Sequence, residues 1–189
     1  MGLMNVATAV IAFRPLTHHD LPMLHEWLSR PHVAEWWGEP GSLSDVEREY
    51  GPLLHGQGTT HPYVALADHL PIGYIQSYVA MGSGDGWWPE VRDPGVRGID
   101  QFLADDAQLG RGLGTLMVRA FVTRLFSNPG VTLVQVDPSP DNARAIRSYE
   151  KAGFQAVGEV HTPGGPALLM HCHSTIVRPQ AQTPRLRSG

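Results

Sequence analysis

The chain has 189 residues, of which 42% are apolar and 17% charged, with a formal net charge of -4 and a single cysteine. Such a length suits one domain with a buried core, the apolar share excludes a disordered polar chain, and no apolar run is long enough to span a membrane. Residues 176–189 hold Arg178, Arg185 and Arg187 and no acid, so the rest of the chain is more acidic than the whole, a balance that repels nucleic acid and attracts cations.

Residues 10–15 read as a first strand, and the apolar stretch there is too short, with no basic residue before it, for a signal peptide. Thr17 opens a helix with Asp20 as an imperfect capping box, and Leu21, Leu24 and Leu28 recur at helical spacing. Arg30-Pro31 reads as a break, placing Trp36-Trp37 in a loop before a second helix around 44–54. Residues 61–67 and 72–81 are strands joined by Asp68-His69-Leu70-Pro71, an antiparallel hairpin. The run from Met81 to Gly86 is too glycine-rich to be regular and reads as a flexible loop of the kind that carries function. Six acids stand between Gly82 and Asp106 against Arg92 and Arg97, interleaved with Trp87 and Trp88. A charge run alone is a solvated face; with tryptophans, whose faces stack on sugar rings and favour cations, it suits an aminosugar. One tryptophan of each pair is equally expected in the core.

Residues 97–104 form the next strand, followed by Gln108-Leu109-Gly110-Arg111-Gly112-Leu113-Gly114 and a helix with Leu113, Met117, Phe121 and Leu125 on one face. Residues 131–136 are a β-branched strand ending in Asp137; a helix then runs from Ser139-Pro140-Asp141-Asn142 to Gly153. Two last strands, near 154–161 and 167–174, flank Pro163-Gly164-Gly165-Pro166. His171 and His173 point away from Cys172, so that thiol lacks a base, and the run lacks zinc-ligand spacing; no metal is expected. A lone cysteine rules out an internal disulfide and suits the cytoplasm. This order argues for an α/β fold with one internal parallel crossover, a single domain over residues 1–175 and a disordered tail over 176–189.

Strand, Gly-x-Gly-x-Gly, helix is the strongest chemical signal, because glycines let backbone amides approach an anion at the positive end of a helix dipole. A plain turn is the alternative. A dinucleotide fold competes, with Asp137 near the place of a ribose-binding acid, but the third glycine is misplaced and too few residues remain for a second half.

Residues Gln108 to Thr115, with Asn142-x-x-Ala145-x-x-x-Tyr149-Glu150-Lys151-x-Gly153-Phe154, resemble the GCN5-related N-acetyltransferase (GNAT) family, departing from it at Leu109. The resemblance implies a mixed, mostly antiparallel sheet of about seven strands flanked by about four helices, with a splayed central parallel strand pair. It implies acetyl-CoA as co-substrate, held by Phe102, Leu103, Gly110, Arg111, Gly112, Gly114, Thr115 and Asn142. Further blocks, Pro71 to Tyr78, Gly82 to Trp88, Asp93 to Gln101 and Asp137-Pro138-Ser139-Pro140, are similar to the aminoglycoside 6'-N-acetyltransferases, nearest their Ib type. That likeness runs from about His18 to Met170 and implies an enzyme that acetylates an aminoglycoside antibiotic, a small-molecule partner met by a monomer away from nucleic acid and membrane. It assigns proton removal from the 6'-amine to Asp100, the other ammonium groups to Asp85 and Asp137, and the sugar pocket to Trp37, Gln76, Tyr78 and Trp88. Close relatives often carry an acid where Gly164 stands.

The chemistry is consistent with these roles, since an ammonium must lose a proton before its nitrogen attacks a thioester. Each residue keeps a second reading: Asp100 as a surface acid or partner of Arg97, Asp137 as a helix cap, and Tyr149 as core rather than the acid that protonates the thiolate. A backbone N–H of the strand bearing Asp100 is the expected oxyanion donor. Acetylation of a polyamine or peptide amine, or non-catalytic binding of a cationic drug or acyl-CoA, are the competing functions.

Overall fold

The computed structural model describes residues 9–56 and 58–174, so the tail expected at 176–189 lies outside them. In chain order the elements are β1 (Ile11–Pro15), α1 (Leu21–Leu28), α2 (Pro31–Trp37), α3 (Leu43–Tyr50), β2 (Thr60–Ala67), β3 (Leu70–Val79), β4 (Val96–Leu103), α4 (Leu113–Phe126), β5 (Leu133–Val136), α5 (Ala143–Ala152), β6 (Gln155–Thr162) and β7 (Gly165–His173). The strands form one sheet in the order β1-β2-β3-β4-β5-β7-β6. Only β4 and β5 run parallel, joined by the α4 crossover.

Local chemistry sets the boundaries. Asp20 accepts from the Thr17 amide at 2.9 Å and its hydroxyl at 2.7 Å, and takes both ends of the Arg14 guanidinium at 2.6 and 2.7 Å, so the expected capping box forms. The loop expected around Trp36-Trp37 is instead helix α2. Pro31, read as a break, stands in its first turn, where a missing N–H costs nothing and the fixed φ suits a helix. The described residues therefore hold five α-helices rather than about four. The β2–β3 turn is tighter than the four residues expected: Asp68 and His69 both take positive φ (48° and 68°), which matches strand twist in a two-residue hairpin.

Strand side chains alternate between two cores. Val64, Tyr74 and Phe102 pack with Leu24, Trp27 and Tyr50 under α1–α3, while Ala65, Ile75, Ile99 and Val134 pack with Met117, Phe121 and Tyr149 under α4 and α5. Parallel pairing of β4 with β5 stops at Gly98↔Gln135, yet β4 continues to Leu103. Past Gly98 the two strands part, and the gap is where the functional residues gather.

Candidate active site

Helix α4 begins at the glycine loop. Gly110 and Gly112 have φ of 71° and 91°, a left-handed backbone that glycine takes without strain, and Gly112 supplies no side-chain cap to the helix. The first amides of α4 are thus left facing a cavity of about 710 Å³ lined by Gly110, Gly112, Gly114 and Thr115. Five consecutive β4 residues, Ile99 to Leu103, line the same cavity, because this edge has parted from β5. A backbone edge and an open helix N-terminus together suit an extended ligand with a diphosphate.

The same cavity carries acid. Asp100, Asp137 and Tyr149 line the cavity with Trp36, Trp37 and Trp87. Asp100 Oδ2 accepts from Gln76 Nε2 at 2.8 Å, and Gln76 Oε1 accepts from the Tyr74 hydroxyl at 2.6 Å, a relay that fixes the amide with its donor toward the carboxylate. Burial pushes the Asp100 carboxyl up, opposed by the Gln76 hydrogen bond. Burial and then the charge of Asp100 lift Asp137 to about 7. Burial also raises the Tyr149 hydroxyl, which therefore keeps its proton at neutral pH.

Residues 17–162 match the acetyltransferase (GNAT) domain family. The aminoglycoside N(6')-acetyltransferase type 1 of Klebsiella pneumoniae is 57% identical over 163 residues, covering 85% of this chain and 81% of the relative. A crystal structure of aminoglycoside acetyltransferase AAC(6')-Ib with coenzyme A superposes with a TM-score of 0.83 at 57% identity, over 87% of this chain and 95% of that one. A lysine N-acyltransferase of Mycobacterium tuberculosis is more distant, 28% identical over 76% of this chain and 68% of its own length. The chain belongs to the GNAT acetyltransferases, in their aminoglycoside N(6')-acetyltransferase branch.

In this acetyltransferase the alternatives left open for single residues narrow. Asp100 pairs with Gln76 and not with Arg97, whose guanidinium bonds the Pro94 carbonyl. Asp137 is not the cap of α5: Asn142 Oδ1 takes the Ala145 amide at 3.0 Å, so Asn142 is a cap that also lines the cavity. Tyr149 is both core, edge-on to Phe154, and cavity wall. Trp37 likewise packs on Tyr74 and Phe102 while facing the cavity. Tyr78 lies flat over Gly98, where an added Cβ would fall 2.0 Å from its ring, and accepts from Trp88 Nε1 at 3.0 Å. That acceptance leaves the Tyr78 hydroxyl proton free to donate.

Five expected residues, Gln76, Tyr78, Asp85, Trp88 and Arg111, do not line the main cavity. Asp85 and Trp88 line a shallow adjoining hollow that shares Trp87, in a loop turned by positive φ at Gly82, Gly84, Asp85, Gly86 and Trp88. Arg111 is exposed and does not line the cavity, so the loop presents backbone there. Sequence reasoning missed His32, Tyr74 and the cations Arg144, Arg147 and Lys151, all but Tyr74 lining the cavity, and of the paired Trp87 and Trp88 it chose Trp88, whereas Trp87 lines it. His32 Nε2 contacts the Leu103 carbonyl at 2.9 Å and Arg30 donates to the Ala104 carbonyl at 2.5 Å, which ties α2 and its tryptophans to the end of β4. The spacing of three and four between Arg144, Arg147 and Lys151 was a readable signal, one face of a helix.

Proposed function

We propose that this chain transfers the acetyl group of acetyl-CoA to the 6'-amino group of an aminoglycoside, and so confers resistance to that antibiotic class. The observation that carries this reading is one cavity lined both by an anion-binding loop and by two carboxyls, Asp100 and Asp137. The coenzyme fits the residues present: the amides of Gly112 to Thr115 suit its diphosphate, and the free β4 edge at Phe102 and Leu103 suits the amide-bearing arm. Bound acetyl-CoA would supply the acyl group as a thioester, set toward Asp100.

The acceptor enters as a polycation. Asp137, once ionised, and the Tyr78 hydroxyl hold its ammonium and hydroxyl groups, with Trp37 and Trp87 as apolar walls for the rings. Asp85 and Trp88, in the adjoining hollow, serve the acceptor's outer ring. Asp100 takes the proton from the 6'-ammonium directly or through water; its burial makes it a stronger base than an exposed carboxylate, and Gln76 keeps it oriented. The freed nitrogen forms the amide bond as the carbon–sulfur bond breaks. Tyr149, protonated at neutral pH, gives its proton to the departing thiolate, whose own basicity near pH ~8.5 makes modest help sufficient, and regains one, directly or through water, from the nitrogen as that becomes the amide; the proton held by Asp100 leaves to solvent. A buried free cysteine, Cys172, suits work in a reducing cytoplasm.

A thiol-release assay with acetyl-CoA tests the reading. Aminoglycosides with a 6'-amine, such as kanamycin, should release thiol and gain one acetyl group, and those with a 6'-hydroxyl should turn over poorly. Equal turnover of both, or preference for a linear polyamine, would point to a different acceptor; stoichiometric binding without thiol release would mean a binding protein.

A further inference from the structure

A polar chain that ends at Asp100 starts deep in an apolar core. Tyr74 on β3 is fully buried, stacked on Phe102 at 5.5 Å and met edge-on by Trp37 at 5.6 Å and Tyr50 at 5.8 Å. A phenylalanine would fill that seat equally well, and a hydroxyl there gives up water, so its presence needs a polar reason. The Tyr74 hydroxyl donates to Gln76 Oε1 at 2.6 Å, and Gln76 Nε2 donates to Asp100 Oδ2 at 2.8 Å. The sheet builds this path: Tyr74 and Gln76, two residues apart, share one face of β3, and Gln76 stands directly across from Asp100 on β4.

A carboxamide is a donor at one end and an acceptor at the other, so its direction decides what it does to Asp100. With Nε2 forward it stabilises the carboxylate; with Oε1 forward it would repel the carboxylate and favour the protonated acid. Burial raises the Tyr74 hydroxyl well above its usual range, so at neutral pH this group carries a proton that must find an acceptor. Turning Gln76 round would leave that proton unpaired in the apolar core and set oxygen against oxygen at Asp100. We propose that Tyr74 is a positioning residue for the transfer: acting through Gln76, its hydroxyl locks the amide so that Asp100 stays ionised and able to take the acceptor's proton. The assignment rests on the reading of Asp100 as the base. Asp100 is also reached by Tyr78 from β3, Asp137 from the end of β5, Tyr149 from α5 and Tyr50 from α3, and Glu49 acts on Tyr74 itself. His32 on α2 and the α5 cations Arg144, Arg147 and Lys151 line the same cavity. Tyr74→Phe leaves all of these in place, so a changed titration of the reaction reports the relay.

The pH profile of kcat, measured by thiol release with kanamycin and acetyl-CoA, tests the relay. In Tyr74→Phe the amide is free to turn, so the acid limb should move to higher pH by about one unit; kcat then falls about tenfold on that limb and returns to near wild type on the plateau. The KM for kanamycin and the affinity for coenzyme A should stay near wild type, because Tyr74 does not line the cavity. Gln76→Leu should shift the limb the same way, and adding Tyr74→Phe to it should shift the limb no further, since the hydroxyl then has nothing to act through. Thermal melting checks that each variant folds, and a wild-type limb in Gln76→Leu would overturn the relay even if Tyr74→Phe did not fold. An unchanged profile in Tyr74→Phe, a kcat lowered equally at every pH, or additive shifts in the double variant would each overturn the proposal. Wild-type turnover by Asp100→Asn would instead reject the base on which it rests.

Discussion

Asp137 combines a strained ionisation with a position open to ligand. Its carboxyl is lifted to about 7, by burial first and by the charge of Asp100 second. The sign follows: the empty folded protein holds this proton more tightly than the unfolded chain, so the carboxyl's contribution to stability is full below about pH 4 and is lost as pH rises toward about 7. A cationic acceptor needs the ionised form, so its affinity runs the other way across the same window. The KM for kanamycin should therefore fall as pH rises from about 6 to 8, by up to about tenfold per unit on the acid side. Asp137→Asn should raise that KM and flatten its pH dependence, and a wild-type KM that stays constant across the range would contradict the role. Asp137 could be picked out from sequence by its place at a strand end, and Asp100, within the strand that precedes the glycine loop, by the family resemblance. Their surroundings could not, since the Tyr74–Gln76–Asp100 relay crosses from β3 to β4 and its second link joins residues 24 apart.

Elements place these groups, and glycines at two of them make testable demands. Gly98 makes room for the Tyr78 ring, with a Cβ there falling 2.0 Å from the ring while Trp88 holds the hydroxyl. Gly98→Ala should cost about 1–3 kcal/mol of stability, read by chemical denaturation, and raise the acceptor KM with little change in coenzyme affinity. Unaltered stability would mean that the ring has another place to go. Gly112, at φ 91°, opens α4. Gly112→Val should impose a backbone cost of about 1–2 kcal/mol and weaken coenzyme binding, and a normal dissociation constant would count against the phosphate loop. Hydrophobic period and turn residues made most elements legible, including all seven strands. Helix α2 was not, because Pro31 has two meanings, a stop inside a helix and a favoured start at its first turn, and only the extended Arg30 before it decides between them.

Across the whole molecule, the parting of β4 from β5 brings a basic pole on α5 and the α4 N-terminus against an acidic pole at Asp100 and Asp137. One hollow thereby offers basic groups to an anionic coenzyme and acidic groups to a cationic acceptor. Chain order implied the single parallel crossover, and the motifs implied the family. The insertion of β7 between β5 and β6 is long-range pairing that no local pattern encodes. The acid loop at Asp85 shows the same limit: charge and tryptophan composition pointed to the acceptor pocket, while backbone turns set Asp85 in the hollow beside it. The reaction itself depends on Asp100 freeing the amine at the meeting of the two poles. Asp100→Asn, assayed for thiol release with kanamycin alongside calorimetry with coenzyme A, is expected to lower kcat by about 10²- to 10⁴-fold with coenzyme affinity unchanged; turnover equal to wild type would contradict it.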